Sequence, residues 1–168
     1  MRTLTTMVFI LSFGINAWAQ PEFNWSRVEA SGVVGLIGFG SDYTRHTTVG
    51  GAFDVRLVAG LRVGPEFLYH IGAQSGCGCS RTTRDRDMTL SLMTSYDFKP
   101  SGRMTSYVTG GGGMLRSNWG QGWRSESFTA SVGGGVKIAL SKHIFVAPEI
   151  RAGWNPVFQG SVRIGYRF

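Results

Sequence analysis

The sequence predicts an all-β protein, a closed antiparallel barrel of eight strands whose outer surface faces lipid. Three observations support this fold class: a period of two in the last strand, eight strand-like runs, and connections of alternating length. In residues 157–168 the apolar side chains fall on one face, and Arg163 and Arg167 fall on the other. Such a period marks a strand whose two faces meet different surroundings. One alternative is a soluble β-sandwich, in which the polar face of the strand meets bulk water. In an outer-membrane barrel the apolar face meets lipid and the polar face meets the barrel interior.

Residues 1–19 have the pattern of a secretory signal peptide. Arg2 supplies a positive charge, residues 7–15 form an apolar run, and Ala17-Trp18-Ala19 offers small residues for cleavage. The mature domain is therefore expected to span residues 20–168. The apolar run is too short for a transmembrane helix, and no later stretch reaches about 18 apolar residues. A buried N-terminal helix is the alternative interpretation of this segment.

Eight strand-like runs follow in the mature chain. They span residues 28–40, 49–57, 61–71, 88–98, 104–115, 127–140, 143–153 and 157–168. Short turns at 58–60, 99–102 and 141–142 alternate with longer loops at 41–48, 72–87 and 116–126, and only 154–156 departs from this order. Short periplasmic turns and longer extracellular loops are typical of outer-membrane barrels. With both termini in the periplasm, all three short turns fall on the periplasmic side.

Alternation also predicts which charged side chains face the barrel interior. They are Asp54, Arg56, Arg62, Glu66, Asp97, Lys137, Glu149, Arg151, Arg163 and Arg167. An isolated charge in a dry interior is very costly, so we expect a salt-bridge network that plugs the lumen. The alternative is a small channel, in which the arginines would favour anions. Eight strands leave an interior just wide enough for side chains, which favours the plug.

Glycine and proline mark special positions within the strands. The runs 110–113 and 133–135 are followed by no Lys-Ser/Thr pair and no helix, which excludes a phosphate-binding P-loop. We expect inward glycines to relieve crowding and permit curvature, although the glycines of strands one and five leave the two faces of those strands ambiguous. Pro65 and Pro148 lack a ladder donor, so each should mark a bulge or a local break.

Aromatic residues fall near both ends of the predicted strands. Phe98, Tyr166 and Phe168 are expected at the periplasmic end, and Phe39, Tyr69, Phe128, Trp154 and Phe158 at the extracellular end. Aromatic rings favour the head-group region of a bilayer, so two such bands would form the girdles of a membrane barrel.

Histidine and serine raise the alternative of a lipid-modifying acyl hydrolase. Glu66 and His70 share one face of the third strand, and Ser141 is close to His143 in sequence. Neither set contains a nucleophile motif, and both residue types are common as polar lining. We therefore expect no enzymatic activity, no cofactor and no metal site.

The longest loop contains Cys77 and Cys79 on either side of a glycine. Export implies oxidising conditions, and a bridge across one glycine is strained but can form. We interpret the pair as a disulfide at the loop tip, since two thiolates are too few for a closed zinc site. The charged residues 81–87 are solvated or contact lipopolysaccharide phosphates. Trp119 and Trp123 are candidates for a surface recognition loop.

The net charge of +7 alone does not identify a partner, but the positions of the charged residues along the chain restrict the choice. No basic helix or lysine-rich tract is present, which argues against nucleic-acid binding. Charged residues make up 16% of the chain, below the usual figure of about 25% for soluble domains. We expect outer-membrane lipids and lipopolysaccharide as the anionic neighbours, and a monomer.

The signal peptide, the closing Gly165-Tyr166-Arg167-Phe168 and the motif Tyr107-Val-Thr-Gly-Gly-Gly-Gly113 resemble the small eight-stranded outer-membrane barrels of the OmpA and opacity-protein type. The resemblance covers residues 20–168 and is one of pattern. It implies a structural or surface-interaction role in the bacterial outer membrane. It also implies that the barrel-assembly machinery reads the last strand through Ile164, Tyr166 and Phe168. The family's peptidoglycan-binding extension is not expected, so anchoring to the cell wall is not implied.

Overall fold

Eight antiparallel strands form a closed barrel in chain order, with β1 paired to β8. The computed structural model describes residues 27–39, 44–72, 86–98, 102–119, 123–154, 156 and 158–168. The strands are β1 (Val28–Phe39), β2 (Thr44–Val58), β3 (Leu61–Gly72), β4 (Arg86–Asp97), β5 (Met104–Trp119), β6 (Trp123–Ala139), β7 (Ile144–Trp154) and β8 (Phe158–Arg167). The predicted fold class is therefore confirmed. The predicted signal peptide and the cysteine pair lie outside the described residues.

The barrel has two ends that differ in their connections. We call one the turn end: it carries the start of β1, the end of β8, and the connections between β2 and β3, β4 and β5, and β6 and β7. We call the other the loop end: it carries the connections at 40–43, 73–85, 120–122 and 155–157. Among the described residues no helix is long and apolar enough to cross a bilayer.

The predicted loops at 41–48 and 116–126 are wrong in length. β2 already begins at Thr44, and the backbones of β5 and β6 stay paired as far as Trp119 and Trp123. Residues 123–129 have no partner on β7, because that pairing begins only at Ala130. The β5–β6 hairpin therefore projects past its neighbour β7 at the loop end. The polar composition of this segment conceals its strand pairing.

Apolar side chains cover the outer face of the barrel. Val132 is 66% exposed and Leu92 is 61% exposed, whereas the charged Arg62 and Glu66 are only 3% and 2% exposed. The predicted faces of strands β3, β4, β7 and β8 are confirmed by an alternation of buried and more exposed positions, which stops only at the ends of β4, β7 and β8. A water-soluble protein has the opposite arrangement, with charges outside and few exposed apolar patches.

Both prolines interrupt the hydrogen-bond ladder on one side only. The pairs that Pro65 and Pro148 would make with β2 and β6 are missing, and the register is the same on either side of each gap. Each proline stays paired on its other side, with Leu92 and Val162 respectively. The predicted local breaks are thus present, and they follow from the missing proline N–H.

Inward glycines allow the backbones of neighbouring strands to curve tightly. A Cβ added at Gly113 would lie 1.9 Å from the backbone oxygen of Leu90, and one at Gly133 would lie 2.1 Å from that of Ile150. The outward Gly110 has no such contact under 3.5 Å. A side chain would fit at neither inward position without a shift of the strands, as expected for a narrow barrel.

Candidate functional site

The charged lumen is organised around two acids, of which Glu29 is the one nearer the turn end. Glu29 accepts hydrogen bonds from Arg62 (2.9 Å), Arg167 (3.0 Å) and Lys137. Arg62 also donates to Asp97 over 2.6 Å. We call these five residues the turn-end cluster. They come from β1, β3, β4, β6 and β8, so the cluster ties together strands from all around the barrel.

Glu66 organises the second group, which lies deeper in the lumen. Arg151 donates to both oxygens of Glu66, at 2.6 and 2.9 Å, and Arg163 donates to one of them. Glu149 lies 2.5 Å from Arg151 Nε and 3.4 Å from Arg163 Nε. We call these four residues the central cluster. Since β3 and β7 are opposite each other in an eight-strand barrel, the Glu66–Arg151 pair crosses the lumen.

Asp54 links the two clusters. Its Oδ2 lies 3.8 Å from Arg62 Nη1 and 3.9 Å from Arg163 Nη1. Counting Asp54, the linked clusters contain five acids and five bases. The acids are Glu29, Asp54, Glu66, Asp97 and Glu149, and the bases are Arg62, Lys137, Arg151, Arg163 and Arg167. This balance is what a low-dielectric interior requires, because each unpaired charge would carry a large desolvation cost.

Arg56 does not join this network, although its parity placed it inside. It is exposed at the turn end and makes no ion pair with any described residue. The physical reason is its height, because β2 has a register irregularity between Arg56 and Val58 and the barrel wall ends there. Alternation gives the face of a side chain but not its distance from the rim.

Sequence reasoning missed Glu29, which is the acid with the most partners in the turn-end cluster. Its strand contains four glycines close together in the predicted run, so the two faces could not be distinguished. One signal was present: the ten predicted lumen residues comprise six bases and four acids, and a dry interior calls for balance. When Arg56 is removed from the predicted set and Glu29 is added to it, the set contains five bases and five acids.

Two buried aromatic rings complete the turn half of the lumen. Tyr107 donates its hydroxyl proton to Glu149 over 2.8 Å, and its ring lies opposite Gly135. Phe145 lies opposite Gly165, and a Cβ there would be 2.1 Å from the ring. Lys137 and Arg167 lie 4.8 and 5.1 Å from the Phe145 ring centroid, within cation–π range. The rings therefore fill the space that the glycines leave.

The loop half of the lumen is polar and contains few charges. His70 is fully buried and lies between Thr48 (2.7 Å) and Thr89 (2.8 Å). His46 lies 3.9 Å from Asp87. Among the described residues, no group of three His, Cys, Asp or Glu side chains is placed to hold a metal ion.

The histidines raised as catalytic candidates have other partners. Glu66 binds Arg151 and Arg163, while His70 binds the hydroxyl groups of Thr48 and Thr89. Ser141 accepts from the backbone N–H groups of His143 and Ile144. His143 Nδ1 lies 2.9 Å from the Arg167 carbonyl. The Ser141 hydroxyl is thus bound by backbone N–H groups rather than by an imidazole nitrogen in the described contacts.

Of the three residues predicted as an assembly signal, Ile164 and Tyr166 lie on the outer face of β8, and Phe168 follows directly after its end. Ile164, Tyr166 and Phe168 are exposed, and the Tyr166 and Phe168 rings meet edge to face at 5.2 Å. The Phe168 N–H donates to the Val28 carbonyl over 3.1 Å, at the seam that closes the barrel. All three side chains therefore point away from the lumen and towards the surroundings of the barrel.

Comparison with known proteins gives a fold and no family. No protein-family model matches the chain. No curated protein matches it either.

The barrel is similar to solved outer-membrane barrels. The N-terminal barrel of Pseudomonas aeruginosa OprF is 15% identical with a TM-score of 0.60, over 84% of this chain and 96% of that one. Neisserial surface protein A is 14% identical with a TM-score of 0.63, over 84% of this chain and 96% of that one. Yersinia pestis Ail, the attachment invasion locus protein, is 14% identical with a TM-score of 0.57, over 84% of this chain and 97% of that one. At such low identity the likeness shows the eight-stranded barrel fold alone.

Proposed function

We propose that this protein is a bacterial outer-membrane barrel with a structural or surface-interaction role. One observation carries the proposal: the apolar side chains face outward around the barrel, while ten paired charges face its interior, eight of them buried and two, Asp97 and Arg167, half-buried. Backbone polar groups cannot face lipid unpaired, and a closed barrel satisfies this condition. Lipid around the outer face would also explain why so many large apolar side chains are exposed in isolation.

A surface role is supported by what the loop end offers. The β5–β6 hairpin projects past β7, and residues 73–85 form the longest connection between strands. Two of the similar structures carry names that describe surface proteins, neisserial surface protein A and the attachment invasion locus protein. The lumen argues for a scaffold, because the Glu66–Arg151 pair crosses it. We infer that the barrel holds the hairpin and the loop at the cell surface.

Fractionation with trypsin shaving of intact cells tests location and orientation together. Arg81 and Arg84 lie within 73–85, and Arg103 and Lys142 lie at the turn end. We expect the protein in the outer-membrane fraction, with cleavage in 73–85 on intact cells and at the turn end only after the outer membrane is opened. Recovery in the soluble periplasm would contradict the location. Cleavage at Arg103 or Lys142 on intact cells would contradict the orientation.

A further inference from the structure

A cavity of about 510 Å³ opens at the turn end of the barrel. Its cationic wall is formed by Arg56, Arg103, Lys137 and Arg167, and its aromatic wall by Tyr96 and Phe98. Lys137 is 2% exposed and lies at the inner side of the cavity, where it binds Glu29 of the turn-end cluster. The cavity is thus continuous with the charged lumen and belongs to neither the projecting hairpin nor the loop end.

The charges around this cavity are unbalanced, unlike those of the lumen. The one acid that lines it, Asp97, is already hydrogen-bonded to Arg62 over 2.6 Å. Arg56 and Arg103 are exposed and make no ion pair with any described residue. Exposed Arg27 and Lys142 add to the positive charge of the same end, and the one exposed acid among the described residues, Glu126, lies at the loop end. The site therefore favours an anion.

The aromatic wall connects the cavity to the outer face of the barrel. Tyr96 and Phe98 are each 47% exposed, and their rings meet edge to face at 5.5 Å. Both residues continue the apolar outer face of β4 towards the turn end. A ligand in the cavity can therefore place a charged group between the arginines and an apolar part along the two rings.

We propose that this cavity binds the phosphate of an anionic glycerophospholipid from the adjoining leaflet. Arginine forms bidentate, charge-assisted hydrogen bonds with phosphate, and the two guanidinium groups that border the cavity, those of Arg56 and Arg103, have no ion pair within the described part of the chain. The glycerol and first acyl carbons lie against Tyr96 and Phe98, which face the membrane. The proposal rests on the outer-membrane assignment, because only an embedded barrel meets a leaflet at this height.

The test is titration of dioleoyl phosphatidylglycerol into the folded, detergent-solubilised barrel, with bound lipid counted by native mass spectrometry. The variant is Arg56→Gln with Arg103→Gln. Loss of two charge-assisted contacts should raise the apparent Kd about tenfold or more. Arg86→Gln with Arg116→Gln is the matched control, because it removes the same charge from exposed positions at the loop end. We expect the control to bind as the wild-type protein does.

Three further arms decide the result. Dioleoyl phosphatidylcholine should bind more weakly than phosphatidylglycerol; equal binding would overturn the anion site. Glycerol 3-phosphate and inorganic phosphate should compete only at much higher concentration, and competition at lipid-like concentration would overturn the lipid assignment in favour of a free phosphate. An equal loss of affinity in the loop-end control would overturn the local site. All variants must show a heat-modifiable folded band, which tests the barrel assignment separately.

Discussion

Arg151 shows how strongly one buried charge depends on its neighbours. Removal of Arg151 leaves Glu66 and Glu149 to share Arg163, whereas removal of Glu149 leaves two arginines on Glu66. Both single changes create an uncompensated charge in the lumen. We expect Arg151→Met and Glu149→Gln each to lower the free energy of unfolding by about 3–5 kcal/mol.

The double variant Arg151→Met with Glu149→Gln restores the balance, because Glu66 and Arg163 remain as a pair. It should lose less stability than either single variant, and glutamine still offers Tyr107 an acceptor. Urea unfolding of the barrel in lipid vesicles, followed by tryptophan fluorescence, measures all three variants. Equal losses in the three would argue against coupled charges in the central cluster.

Gly165 is predicted to be intolerant of any side chain. Its Cβ would lie 2.1 Å from the Phe145 ring, which is itself buried between Lys137 and Arg167. Gly165→Ala should therefore cost about 1–3 kcal/mol of unfolding free energy through overpacking. Gly32→Ala is the control, since nothing lies within 4 Å of a Cβ there.

A double-mutant cycle identifies the cause. In a Phe145→Ala background the ring is absent, so Gly165→Ala should cost much less than in the wild-type background. The same urea unfolding measurement applies. If the cost of Gly165→Ala is the same in both backgrounds, the ring does not set the restriction.

Alternation along a strand predicts the face of most charged residues but fails for Glu29 and Arg56. The parity of Arg62, Glu66 and Arg151 is sufficient to place them inward, because one face of their strands is plainly apolar. Parity fails for Glu29, whose strand has glycine on both faces, and for Arg56, which has the right face but lies at the rim. Height along the barrel depends on the register between strands, which no single strand encodes.

At the scale of elements, the sequence predicted the number and order of strands but not their ends at the loop side. Arg116 faces Glu126 across the β5–β6 hairpin, and pairing continues to Trp119 and Trp123. Beyond the band of outward apolar side chains both faces of a hairpin meet the same surroundings, so the apolar alternation that marks a strand is absent there. The turn end was predicted more closely, because those turns follow directly on apolar strand positions.

The last strand is predicted to control assembly of the barrel. β8 pairs with both β1 and β7, and the Phe168 N–H binds the Val28 carbonyl at the closing seam. Deletion of Phe168 should reduce the amount of heat-modifiable folded barrel in the outer membrane, because the aromatic end of the strand is lost. Quantitative immunoblots of unheated and heated outer-membrane samples measure the effect.

Phe158→Ala serves as the control for that deletion. Phe158 lies on the same strand and the same outer face, but at the loop end, and it is 51% exposed. A general loss of apolar surface would affect both variants alike. Wild-type amounts of folded barrel in the Phe168 deletion would contradict the assembly role of this residue.

At the scale of the whole molecule, the distribution of charged side chains favours a plugged lumen over a channel. The two linked clusters in the lumen contain five acids and five bases, and their side chains reach across it from strands on opposite sides. An ion path needs a continuous wet route with exchangeable partners for the ion. Here each charge already has a partner of opposite sign, which leaves no such role for the arginines.

The purified protein is therefore expected to produce no stable stepwise currents in planar lipid bilayers. The Glu66–Arg151 pair, with hydrogen bonds of 2.6 and 2.9 Å, blocks the centre of an interior that eight strands make only wide enough for side chains. A porin reconstituted in the same lipid is the positive control, and a heat-modifiable band confirms that the barrel was folded. Stable steps with a preference for anions would show that the arginines line an open path, and the plug would have to be given up. Steps that appear only in Glu66→Ala would instead support it, because that change removes the shared partner of Arg151 and Arg163.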